Sequence, residues 1–244
     1  ERLGHTVMYD KIVYELVETD LAMIWHSDMY LCPNALDSIE ELMYRKLKSW
    51  ERCKLYQTGN YSKSVKLGGI WINWKNDRKD DIDNVEVHGW LDNWAPKVPK
   101  TTANKNQIVS LTRIEPPLHP SGPEKLVKDF GTEPENFKEA ELLDFVEKTE
   151  SDKITSGVFA PWCFWVDEFK AMNGHDWLYR PQSKEDSSIF NRFQLKFGKN
   201  CFKQTWKGFV YHLTCRGSRF NPNLTKVGQN SPEWEEHNIK SHRN

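Results

Sequence analysis

Leu21-Ala22-Met23-Ile24-Trp25-His26-Ser27-Asp28 is the stretch on which the fold turns. Its first six residues are an apolar run without alternation, the signature of a strand buried on both faces, as in a parallel sheet. Polar residues take over at Ser27-Asp28. Upstream, Met8, Ile12 and Leu16 recur every four residues with Val13 and Val17 beside them, which predicts an amphipathic helix over 6–19. Downstream, Pro33 and Asn34 open a second helix with a stripe of Leu36, Ile39, Met43 and Leu47. Helix, buried strand, polar tip and helix make an α/β unit.

Further along, Leu67–Ile72 is entered through Gly68-Gly69 and reads as a strand, and Val85–Trp94 as another. Between them, Asn76–Asn84 is a charged loop without the spaced ligands of an EF-hand. Ile108–Thr112 is a clearer strand. Residues 113–138 are rich in Pro, Gly and charge and read as a loop insertion of the kind that forms rims and lids. Short helices are expected at about 123–130 and 138–149. Val158–Val166 is a second apolar run. Residues 185–197 carry Ile189, Phe193 and Phe197 at four-residue spacing, a helix. Val210-Tyr211-His212 ends a last strand. Residues 1–220 thus read as one domain, and 221–244 as a polar tail.

Composition narrows the function. The 34 basic and 35 acidic residues give a net charge of −1, so no general basic field gathers a polyanion, and no nucleic-acid partner is expected. Five cysteines without a CxxC pair fit neither a disulfide framework nor a zinc ribbon; a reducing, cytoplasmic setting is the simpler expectation. No run is long and apolar enough to span a bilayer. Eleven tryptophans suit recognition of ring-shaped ligands, although most are expected in the core.

Three segments could carry chemistry. His26 and Asp28, two apart on an extended chain, can face one ligand at a strand end, where open α/β sheets bind theirs. Imidazole and carboxylate both suit a divalent ion; a capped strand end without metal explains the same residues. Glu185 and Asp186 open a helix, where carboxylates are stabilised by free N–H groups. They serve there as a cap, or as a general base that takes a proton from a hydroxyl. Finally, His212 ends a strand and is followed by Arg216-Gly217-Ser218-Arg219, the parts of a phosphate-binding loop.

In this order, His26-Ser27-Asp28-Met29-Tyr30 with the Pro33 helix, Arg113-Ile114-Glu115-Pro116-Pro117, Glu185-Asp186, and Val210-Tyr211-His212 with Arg216–Arg219 resemble the GT-A glycosyltransferases of family 2, in particular the phage and environmental type. The resemblance implies a Rossmann-like mixed sheet flanked by helices. It implies transfer of a sugar from a nucleotide-sugar donor to a carbohydrate or other hydroxyl acceptor, assisted by a divalent cation, Mn or Mg. The family's Asp-x-Asp triplet corresponds to His26-Ser27-Asp28, so Asp28 and, less directly, His26 become metal residues, with His212 as a further ligand. Asp186 becomes the catalytic base with Glu185 in support. Arg216, Ser218 and Arg219 are implied at the donor phosphates, and Trp162 and Trp165 at the acceptor.

The family also places several β-α units ahead of the Asp-x-Asp strand to bind base and ribose. Here residues 1–20 precede it, so the expectation is a chain truncated at its N-terminus, which weighs against catalysis by these residues alone. An exposed sheet edge would favour a homo-oligomer or another chain. The alternative reading is a non-catalytic carbohydrate- or partner-binding α/β domain. It requires a row of exposed tryptophans instead of converging acids.

Overall fold

A computed structural model describes residues 4–58, 89, 91–93, 96–117, 125–177 and 185–213. It divides into two compact units, residues 44–104 and the remainder, where the sequence reading has one domain over 1–220. The expected strand at Leu67–Ile72, the Asn76–Asn84 loop and the 221–244 tail lie outside the described residues. Of the expected strand Val85–Trp94, residues 89 and 91–93 are described and are helical.

The larger unit is α/β. It holds helix α1 (Gly4–Lys11), a π-helical turn (Ile12–Leu16), strands β1 (Leu21–Ile24) and β2 (Met29–Leu31), and helix α2 (Ala35–Met43). The smaller unit has β3 (Tyr44–Lys46), α3 (Ser49–Thr58) and β4 (Thr101–Ala103); β3 and β4 pair, and Cys53, Tyr56, Leu91 and Val98 form its core. The larger unit resumes with β5 (Ile108–Glu115), β6 (Lys125–Val127), a 3-10 turn (Pro134–Asn136) and α4 (Glu139–Thr149). After these come β7 (Ile154–Thr155), β8 (Trp162–Trp165), α5 (Val166–Ala171), α6 (Glu185–Phe197) and β9 (Phe202–His212). The helices expected at 138–149 and 185–197 are therefore α4 and α6. The one expected at about 123–130 is instead strand β6.

The main sheet is mixed, with the order β1-β8-β5-β9-β2; β6 pairs with β5 and β7 with β9. β5 runs parallel to β9 and β6, and the remaining pairings are antiparallel. β1 and β2 lie at opposite ends of this order yet are joined by four residues, 25–28. The last residue of the link, Asp28, lies at the carboxyl end of β9, where its carbonyl accepts the Leu213 N–H. Gly208 of β9 lets α2 lie close on the sheet: a Cβ there would stand 2.0 Å from Ser38 Oγ and 3.2 Å from Ala35 Cα.

Two expectations fail in an informative way. β1 is not a strand buried on both faces of a parallel array. It pairs antiparallel with β8, ends the strand order, is half-buried over Leu21–Met23, and stops at Ile24. In α1 and the π-helical turn after it, the four-residue row of the expected stripe points outward. Met8, Ile12 and Leu16 are exposed, whereas Thr6, Val7, Asp10 and Val13 are buried. A polar contact sets that rotation. The Asp10 carboxylate accepts the His175 backbone N–H at 3.0 and 3.1 Å and the Trp177 indole N–H at 2.8 Å, and it lies 2.7 Å from His175 Nδ1. Gly174, at φ +60, permits the approach, since a Cβ there would meet the carboxylate at 2.7 Å. The helix buries the residue whose charge has partners, and the apolar periodicity loses.

Candidate functional site

Alternation along β5 and β9 sorts their residues between two faces. Ile114 pairs with Tyr211, and both enter a core cluster with Phe130, Leu142 and Val146. Their successors, Glu115 and His212, therefore point to the opposite face, side by side at the carboxyl ends of parallel strands. His212 Nδ1 is 3.0 Å from Glu115 Oε1.

The 25–28 link supplies the third group. The Met29 N–H donates to the His26 carbonyl at 3.2 Å, which closes a tight turn. The Trp25 indole N–H braces it by donating to the Met29 carbonyl at 3.1 Å. The Leu213 N–H donates to the Asp28 carbonyl at 2.9 Å, and Met29 pairs with His212. These bonds hold Asp28 over the end of β9, with Oδ2 3.1 Å from His212 Nε2. The imidazole thus lies between two carboxylates, one on each ring nitrogen.

Glu115 is held from three sides. Lys125 Nζ is 2.5 Å from Oε2, and Arg113 Nε is 2.9 Å from Oε1. Lys125 reaches it because β6 sets Lys125 beside Arg113. The Glu115 side chain is 3% exposed and that of Asp28 27%. Burial alone would raise the Glu115 pKa. The His212 hydrogen bond and the Arg113 and Lys125 charges outweigh it and hold the carboxyl at about 2. The Arg113 guanidinium also lies over the Phe159 ring, 4.8 Å from its centre.

Of the residues singled out from sequence, Asp28 and His212 meet directly. His26 opens the same turn, two residues before Asp28. Glu185 and Asp186 are the first two residues of α6, a separate element. That helix packs Phe190 edge-on to Trp162 at 5.1 Å and Phe202 at 5.9 Å. Arg216, Ser218 and Arg219 lie outside the described residues. Trp162 and Trp165 are 0% and 2% exposed. Trp162 packs against Phe164, Phe169, Phe190 and His175, and Lys105 caps the Trp165 ring at 4.2 Å. Both are core residues, and neither offers a ring face to an acceptor sugar.

The part played by Glu115 went unassigned in the sequence, although a signal exists: a carboxylate inside a strand of otherwise buried residues must have partners. Lys125, set in a stretch rich in proline and charge, carries no comparable mark.

Asp28 Oδ2 and His212 Nε2 have the chemistry and spacing of two ligands of one divalent ion. Donors about 2.1 Å from a metal and at right angles are about 3 Å apart. Among the described residues no group of three or more His, Cys, Asp or Glu side chains is arranged to hold a metal. Two protein ligands suffice where substrate phosphates and water complete the shell, the usual situation of Mg²⁺. No helix among the described residues is long and apolar enough to cross a membrane. Compared with protein-family models, curated proteins and solved structures, the chain matches none.

Proposed function

We propose that the chain carries the cation-binding site of a glycosyltransferase of the GT-A kind, acting on a nucleotide-sugar donor and a hydroxyl acceptor. The meeting of Asp28 and His212, 3.1 Å apart at the carboxyl ends of β5 and β9, carries this reading. These two side chains would hold the Mn²⁺ or Mg²⁺, with His26 at the start of the same turn. When bound, the cation would neutralise the diphosphate of the departing nucleotide. Asp186, supported by Glu185, would take the proton of the acceptor hydroxyl. Arg216, Ser218 and Arg219 follow His212 closely enough in sequence to reach the donor phosphates.

The test is a thermal-shift screen with manganese and UDP-, GDP- and CMP-linked species, each alone and combined. The reading requires stabilisation by at least one nucleotide that depends on the metal. A melting temperature indifferent to every combination would remove it.

A further inference from the structure

We infer that Glu115 is a positioning residue that fixes the His212 ring with its proton on Nδ1, leaving the Nε2 lone pair to face Asp28 and a cation. The inference rests on the proposed cation site and adds the group that aims one of its ligands.

A neutral imidazole has one N–H and one lone pair, and its neighbours decide which nitrogen bears which. Here both neighbours are carboxylates, so one of them must face a lone pair. If the proton sat on Nε2, Nδ1 would present its lone pair to Glu115 Oε1 at 3.0 Å, in a spot where Glu115 is 3% exposed. Two acceptors would oppose each other with no water to separate them, and Glu115 cannot turn away. Its Oε1 also faces the Arg113 charge at 2.9 Å, and its Oε2 is gripped by Lys125. With the proton on Nδ1 the acceptor pair falls instead at Asp28, which is 27% exposed and open to water or a cation. A buried mismatch costs more than a wet one, so Nδ1 keeps the proton.

Glu115 is not itself a ligand in this arrangement, because three neighbours already engage its oxygens. A carboxylate behind a metal-binding histidine typically changes metal affinity by about 10–100-fold when removed.

The test begins with the unaltered, metal-free protein at a pH where His212 is neutral. Long-range ¹H–¹⁵N correlation spectra distinguish the two tautomers, and the His212 ring is assigned by its loss in His212→Gln. The expected result is the Nδ1–H form. An Nε2–H ring overturns the inference whatever the protein does with metal. The Nδ1–H form together with a failure to bind Mg²⁺ or Mn²⁺ sinks the proposed function and leaves the positioning role standing. In Glu115→Gln that retains the wild-type near-UV spectrum, Mn²⁺ titrated by its paramagnetic resonance should bind 10–100-fold more weakly. Unchanged affinity with an unchanged tautomer also overturns the inference.

Discussion

His212 Nε2 and Asp28 Oδ2 stand 3.1 Å apart although 184 residues separate them in the chain. One ends a central strand, and the other sits in a turn held to that strand by the Leu213 N–H bond to the Asp28 carbonyl and the pairing of Met29 with His212. Asp28→Asn keeps the size of the side chain and removes its charge. Manganese at 100 times its dissociation constant should stabilise the unaltered protein by about 2.7 kcal/mol. Asp28→Asn and His212→Gln should each abolish most of that increment in a thermal melt, and the double variant should lose little more than either single one. Full, additive increments in the single variants would mean that the two side chains do not share an ion.

Glu115 gives the fold an acid limit. Its carboxyl is held at about 2 in the folded protein, against an ordinary 4.5. A depressed carboxyl contributes stability that is complete above about pH 4.5 and is lost as the pH falls towards 2. The whole contribution is about 3 kcal/mol. Chemical unfolding at several pH values checks it. Glu115→Gln should be less stable than the unaltered protein at pH 6, and the gap should narrow steadily between pH 4.5 and 2. A gap independent of pH would show that the charged network around Glu115 does not stabilise the fold.

The sequence carried the elements better than their environments. The helix and strand ahead of residue 28, the helices at 138–149 and 185–197 and the strand ending at His212 were legible in local pattern, whereas strand β2, directly after residue 28, was not, because it forms only by pairing with the distant β9. The failures have a common origin in long-range contacts. α1 was read by its apolar stripe, but Asp10 turns it towards His175 and Trp177. Trp162 and Trp165 looked available for a sugar, but two helices and a sheet need their volume in the core. Asp28 and His212 could be picked out by residue type and position at strand ends. Glu115 could not be assigned a role, because that depends on which strand lies beside β5.

Gly208 marks where α2 presses on the sheet. A Cβ at this position would lie 2.0 Å from Ser38 Oγ, 2.7 Å from Leu111 Cδ2 and 3.2 Å from Ala35 Cα. Ser38 can turn away only by breaking its 2.7 Å bond to the Ala35 carbonyl, and the Ala35 backbone cannot turn at all. Gly208→Ala should therefore cost about 1–3 kcal/mol through overpacking, and Gly208→Val more. Combining Gly208→Ala with Ser38→Ala should recover part of the loss by removing the nearest atom. Denaturant unfolding measures all three. A neutral Gly208→Ala would show that α2 does not rest on β9 at this point.

Opposite outcomes are expected on the two faces of α1. Removing the carboxylate in Asp10→Ala strands the backbone N–H and ring Nδ1 of His175 and the indole N–H of Trp177, all brought to it by the turn after α5. Each unsatisfied buried donor costs about 1–3 kcal/mol; the two His175 groups are buried whereas Trp177 is half exposed, so the variant should lose about 2 kcal/mol or more. Leu16→Ser removes the last residue of the apolar stripe, yet Leu16 is 72% exposed, and the change should stay within about 0.5 kcal/mol. Chemical unfolding of both variants under one set of conditions decides the orientation of the helix. A costly Leu16→Ser beside a tolerated Asp10→Ala would mean that α1 packs by its apolar stripe, with the Asp10–His175 contact incidental.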